Sequence, residues 1–327
     1  MRALVLEAYN APFSLKTIAR PVPGTGQVLV RIMASGVNPL AAKIRTGNAP
    51  HAKVTLPAIL GMDLAGVVEA VGPGVDAFKP GDAVFGMTGG VGDLQGSLAE
   101  FAAVDADLLA IKPSSLTMRQ AAALPLSVIT AWEGLVDRAH IQAGQKVLIH
   151  AGAGGVGHVA VQLARALGAD VFATVSADKA EIAKRFGATT IDYRAETVAD
   201  YVSRLTGGEG FDIVYDTVGG PTLDDSFAAV RPYRGHVVSC LGWGQHVLAP
   251  LSFRNATYSG VFTLTPMLTG KGRAHHGEIL REAARLAETR QLTPSLNPLR
   301  FTMETALEAH QLVEAGGAVG KVVVDIA

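Results

Sequence analysis

Short alternations of apolar and polar residues, cut by glycine and proline, fill the first third of the chain. Runs at 3–6, 27–33, 66–71, 83–86 and 98–104 each have the length and period of a strand. Gly72-Pro73-Gly74 and Pro80-Gly81-Asp82 punctuate them as turns, because glycine reaches positive φ without a clash and proline fixes φ in advance. This rhythm predicts an antiparallel or barrel-like β domain.

The texture changes near Arg119. Alanine-rich helical patterns at 119–124 and 128–139 lead into a strict alternation: strand 146–151, helix 156–167, strand 170–175, helix 179–186 and strand 189–192. Helix 198–205, strand 211–215, helix 223–230 and strands 236–241 and 258–264 continue it. Such spacing needs crossover connections and predicts a doubly wound parallel sheet covered on both faces. Helices at 277–289 and 303–315 follow, then a closing strand at 321–326. A terminal strand needs a sheet to join, and the first domain offers one. The expectation is therefore an α/β chain of two domains, 1–120 with 266–327 and 121–265, joined by two crossings with a cleft between them.

Length and composition agree with two packed units, since the 327 residues are 49% apolar and 17% charged. A net charge of −1 supplies no excess cation for a phosphate backbone or an anionic membrane, so neither nucleic acid nor membrane is an expected partner. The single cysteine, Cys240, excludes an intrachain disulfide and a thiolate-rich zinc site. The N-terminal apolar run ends at Glu7, too soon for a signal peptide or membrane span, and a cytoplasmic address is expected.

Chemistry enters at Ala151-Gly152-Ala153-Gly154-Gly155-Val156-Gly157, a G-x-G-x-x-G pattern that follows an apolar strand and opens a helix. Gly152 suits the tight turn, Gly154 lets the backbone approach a pyrophosphate, and Gly157 packs the helix against the strand. Gly155 and Val156 lie at the helix N-terminus that faces the anion. Phe172-Ala173-Thr174-Val175-Ser176 ends the next strand without the carboxylate that would hold a ribose 2′-hydroxyl. Ser176, Lys179, Tyr193 and Arg194 instead offer hydroxyls and cations to a 2′-phosphate, which favours NADPH. The alternative is that Asp178 serves a ribose and Lys179 is a solvated helix charge.

The chain resembles the zinc-independent quinone oxidoreductase, or ζ-crystallin-like, branch of the medium-chain dehydrogenase/reductase superfamily. The resemblance rests on Gly144-Gln145, Leu148, Gly152–Gly157, Gln162 and Arg165, with Gly61-Met62-Asp63, Gly66, Val71-Gly72, Gly81-Asp82 and Gly320-Lys321-Val322 as further landmarks. It implies a GroES-like domain interrupted by a Rossmann domain. It also implies that Asn38 and Met62-Asp63 occupy slots where zinc alcohol dehydrogenases carry ligands, so that no metal is expected; His51 and His275-His276 are read as solvated loop histidines. Without zinc to polarise a carbonyl, the substrates expected are quinones and α,β-unsaturated carbonyl compounds, reduced by hydride from NADPH. Asn38 is the implied catalytic residue facing the nicotinamide, or else a turn residue before Pro39. Where relatives carry a tyrosine this chain has Lys43 and Arg45, and Lys43 is the candidate electrostatic donor, or an exposed loop cation. Thr130, Leu241, Gly242, Phe262 and Lys321 fall where relatives contact the cofactor. A homodimer through the edge strand 258–264 is implied as well. A zinc-type alcohol dehydrogenase, an enoyl-thioester reductase and a non-catalytic NADPH-binding sensor or crystallin-like protein are the competing readings.

Overall fold

The apolar alternation beginning at Gln27 becomes an eleven-residue strand in which Val28, Val30, Ile32 and Ala34 share one fully buried face. The computed structural model describes Met1–Ala327, and the chain forms two units, 1–129 with 263–327 and 130–262. Strands are numbered along the chain. In the first unit these are β1 (Arg2–Leu6), β2 (Ser14–Thr17), β3 (Gln27–Val37), β4 (Ala58–Ile59), β5 (Asp63–Val71), β6 (Ala83–Met87), β7 (Phe101–Asp105) and β8 (Leu109–Ile111). The second holds β9 (Lys146–Ile149), β10 (Asp170–Val175), β11 (Thr189–Asp192), β12 (Ile213–Asp216), β13 (His236–Ser239) and β14 (Thr257–Gly260). The chain then returns to the first with β15 (Phe301–Thr302) and β16 (Val322–Asp325).

In the first unit β2, β1 and β4 make a small antiparallel sheet, and a seven-stranded sheet runs β15-β16-β3-β5-β6-β8 with β7 also on β3. β16 lies antiparallel to β3, Val322 opposite Val37 and Asp325 opposite Ala34, so the closing strand joins the first unit as its apolar pattern requires. The unit boundary falls at 129/130 instead of the expected 120/121. The helix Met118–Ala122, opened by a Thr117–Gln120 capping box, packs on β3 and β5, and the Leu126 N–H is bound to Asp63 of β5. The second crossing lies at 262/263. The glycine-rich stretch 88–97 is largely buried: a Cβ on Gly89 would lie 1.8 Å from the Gln95 carbonyl oxygen.

The second unit is a six-stranded, wholly parallel sheet in the order β11-β10-β9-β12-β13-β14. That is the doubly wound Rossmann order, reversing between β9 and β12. Leu148, Phe211, Val214, Phe227 and Val237 fill one face of its core. The final strand of this sheet ends at Gly260 rather than 264.

The helix expected at 128–139 begins as an α-helix, Pro125–Trp132, and continues as a π-helical segment, Glu133–Arg138. Tyr215 accounts for the change. Its ring lies so close to Gly134 that a Cβ there would sit 2.6 Å from Cζ, and its hydroxyl donates 2.6 Å to the Thr130 carbonyl. A buried phenol thus competes for a helix carbonyl, one of the recognised causes of a local widening. No helix in the chain is long and apolar enough to cross a membrane.

Candidate active site

β9 delivers the chain into the glycine loop at the reversal point of the parallel sheet, where such folds leave a crevice at the carboxyl ends of the strands. Ala151 adopts φ 52°, and its carbonyl receives the Gly154 N–H at 2.8 Å. A Cβ on Gly152 would stand 2.4 Å from the Ala173 Cβ, and one on Gly157 would stand 2.1 Å from the Ala151 carbonyl oxygen. Both positions therefore require glycine for close approach rather than for φ. Gly155 is exposed, and the helix Gly157–Ala166 begins directly after Val156, its His158 N–H donating to the Gly154 carbonyl at 3.0 Å and its Val159 and Ala160 N–H groups to the Val156 carbonyl at 3.1 and 2.9 Å.

A cavity of about 890 Å³ opens beside this loop within the second unit. Ala151, Ala153 and Gly154 border it at the loop, while Ser176, Lys179, Tyr193 and Arg194 border it beyond β10 and β11. Val218, Thr222, Asp225 and Tyr201 contribute further wall. Ser176 is buried, and hydrogen bonding from its hydroxyl holds the exposed Asp178 carboxyl below its ordinary range. Asp178 itself does not line the cavity, and the Arg194 guanidinium lies 5.5 Å from the Tyr193 ring centroid. The expected phosphate-binding groups are thus gathered on one cavity. Glu196 also lines it, with its carboxylate engaged by Arg204 at 2.6 to 3.0 Å.

The other expected cofactor contacts in this unit sit apart from that cavity. Thr130 is the acceptor for Tyr215; Gly242 lies against Tyr258, whose hydroxyl would be 2.2 Å from a Cβ; the Leu241 N–H donates to the Ser239 hydroxyl oxygen at 3.1 Å; and Phe262 stacks edge-on with Trp243. Cys240, next to them, has its thiol pushed up to about 12 by burial, which leaves it protonated and a poor nucleophile.

In the first unit Asn38 and Lys321 come together. Asn38 precedes the helix Pro39–Arg45 but does not cap it; its amide donates to Asp63 Oδ2 at 2.8 Å and its Oδ1 accepts from the Lys321 ammonium. The Leu126 N–H donates to the other Asp63 oxygen at 2.9 Å. Asn38 and Asp63 are fully buried and Lys321 nearly so, which makes Asn38 a link between two buried ions rather than an open donor. Burial raises the Asp63 carboxyl to about 6 against the opposing pull of Lys321, and burial lowers the Lys321 ammonium. Lys43 stands exposed on the helix that Asn38 precedes. Arg45, its neighbour, is buried and paired with Glu314 at 2.6 Å, so it is not an available donor.

These residues do not suit zinc. The only acid at the former ligand slots is Asp63, already occupied by Asn38 and Leu126, and no three His, Cys, Asp or Glu residues converge to hold a metal. His275 and His276 lie on the helix Arg273–Glu288 instead of in a loop, the first bonded to Glu278 and the second fully buried.

Among the cavity residues not anticipated from sequence, His150 stands next to the glycine loop. It directly follows β9, lines the cavity and reaches Thr174 through Nδ1 at 3.0 Å. Its signal was a lone polar residue closing an apolar strand one position before the glycine loop.

Residues 24–114 match the family described as "Alcohol dehydrogenase GroES-like domain" and residues 155–274 the family described as "Zinc-binding dehydrogenase". The "NADPH-dependent alkenal/one oxidoreductase, chloroplastic" of Arabidopsis thaliana is 34% identical over 99% of this chain and 79% of its own length. The "Quinone oxidoreductase" of Sus scrofa is 31% identical over 99% of this chain and 97% of its own. Among solved structures, an alcohol dehydrogenase superfamily protein from Novosphingobium aromaticivorans superposes with a TM-score of 0.98 at 58% identity, covering 100% of both chains.

Proposed function

Because the chain belongs to the medium-chain dehydrogenase/reductase superfamily, we propose that it is an NADPH-dependent reductase of quinones and α,β-unsaturated carbonyl compounds. One observation carries the reading: a single cavity joins the glycine loop to Ser176, Lys179, Tyr193 and Arg194. A hydroxyl and two cations stand there for a 2′-phosphate, where an NADH enzyme would present a carboxylate.

The loop amides and the helix N-terminus hold the pyrophosphate, and Ser176, Lys179, Tyr193 and Arg194 hold the 2′-phosphate. Thr130, Leu241, Gly242 and Phe262 are the contacts for the nicotinamide half. When bound, that nicotinamide supplies the hydride. Conjugated acceptors suit this chain because they are already electron-poor at the receiving carbon and need no metal to polarise them. Lys43, exposed and cationic, is the donor to the oxygen on which negative charge develops, and solvent returns the proton. Asn38, buried between Asp63 and Lys321, positions the start of the helix that carries Lys43. A second copy of the chain joins through the free edge of β14, giving a homodimer.

The test is a paired titration with NADPH and NADH, followed by the near-ultraviolet absorbance of NADPH on adding a small quinone and a small enone. Tight binding and consumption of NADPH support the reading. Binding without consumption by any acceptor overturns it in favour of a sensor, and binding of neither nucleotide removes its basis.

A further inference from the structure

His150 is the one cavity-lining residue with a buried side-chain polar atom that has no partner. It is 3% exposed, its ring borders the cavity of the second unit, and its Nε2 is buried without a partner. A buried polar atom with no partner is unfavourable, so its persistence beside a cavity points to a ligand atom that completes it.

The neighbours determine what kind of atom. Burial holds the imidazolium form down to about 4, so the ring is neutral near pH 7 and carries one N–H. Thr174 Oγ1 accepts the Ala151 N–H at 3.3 Å and lies 3.0 Å from His150 Nδ1. A hydroxyl has one proton to give, and the arrangement that uses it directs the Thr174 O–H to Nδ1. The ring proton then sits on Nε2. The leftover atom is therefore a donor, matched by an oxygen.

We propose that His150 is a nucleotide-binding residue whose Nε2–H donates to an oxygen of the adenosine ribose–diphosphate portion common to NADPH and NADH. The proposal rests on the nucleotide reading above. His150 precedes the glycine loop, whereas the groups assigned to the 2′-phosphate lie beyond β10 and β11, so the donor serves both dinucleotides alike. Thr174 acts through it as a positioning residue by fixing the tautomer.

Calorimetric titration of four proteins with NADPH and with NADH tests this. His150→Phe keeps the ring volume without a donor and should weaken both nucleotides by the same factor, about tenfold or more. His150→Gln, whose amide N–H falls near the Nε2 position, should recover most of that loss. A Lys179→Ala, Arg194→Ala double variant should weaken NADPH selectively, which marks the other end of the cavity. Unchanged affinity of His150→Phe for both nucleotides overturns the proposal, as does a loss confined to NADPH. Should His150→Phe not fold, the imidazole ¹⁵N spectrum of the wild-type protein decides. The Nε2 resonance of His150 should shift on saturation with ADP-ribose, and a resonance that does not move overturns the assignment. Failure of the underlying reading has a different signature, since the wild-type protein would then bind neither dinucleotide.

Discussion

Single atoms decide the glycine loop. Gly157→Ala places a Cβ 2.1 Å from the Ala151 carbonyl oxygen, which belongs to the backbone and cannot rotate away. We expect a loss of about 1–3 kcal/mol of stability together with weakened NADPH binding, read by denaturant melts and by titration. The sequence made this site legible because close approach of backbones leaves glycine as the only residue that fits, and the spacing of Gly152, Gly154 and Gly157 records it. His150 and His310 were not legible in the same way, since a histidine's burial depends on strands and helices distant in sequence. His310 is fully buried, edge-on to Phe13, with its ring held down to about 3 by burial and by Arg45. A histidine whose folded pKa lies below its unfolded value of about 6.5 favours folding above that value, and the benefit is lost as pH falls toward about 3. The His310→Phe variant should therefore lose less stability than the wild type between about pH 6 and pH 4, measured by thermal melts across that range.

At the scale of elements, β16 matters for what it carries into the sheet. Pairing with β3 brings Lys321 to Asn38, which in turn is bonded to Asp63 on β5. Lys321→Met leaves the Asp63 carboxylate buried without its ammonium, and should cost about 3–5 kcal/mol. Adding Asp63→Asn should restore part of that loss, and a double-mutant cycle in denaturant measures the coupling. Asp63 also opposes His310 in acid. Its raised folded pKa means that the folded protein binds the extra proton between about pH 4 and pH 6, so its contribution to stability is full below that window and is lost as pH rises through it. The sequence showed that the ligand slots of zinc relatives were altered at Asn38 and Met62-Asp63. It did not show that an ammonium from the last strand had moved in beside them, because periodicity places a strand in a sheet but does not choose its neighbour. Arg45 illustrates the same limit: next to Lys43 in the same short helix, it turns inward to Glu314 while Lys43 stays in water.

For the whole molecule, strict strand–helix alternation was enough to specify the second unit as a doubly wound parallel sheet, since parallel strands require crossovers of one hand. The first unit was harder. β2 and β8 are short, and β2 is mostly exposed, so neither has the apolar alternation that marks a strand. The packing of residues 88–97 was not legible either, because glycine is shared by flexible segments and by tightly packed ones, and composition does not separate the two. The proposed dimer uses β14, one of the two edge strands of the parallel sheet. Thr257 and Gly260 are exposed there, and the paired changes Thr257→Lys and Gly260→Lys set like charges along that edge. Sedimentation should then show the mass of a single chain for the variant and of two for the parent.

The π-helical segment at Glu133–Arg138 imposes a constraint on how this chain can vary. A wide turn holds one residue more than the α-helical turn it replaces, so it behaves as an insertion already accommodated by the Tyr215 hydroxyl. Restoring ordinary winding while keeping that residue would turn everything from Ala139 to β9 by about 100°, whereas deleting one residue along with the phenol restores it with the phase unchanged. The length of this helix is therefore tied to a phenol some eighty residues downstream, and in descendants of this sequence the loss of either should accompany the loss of the other.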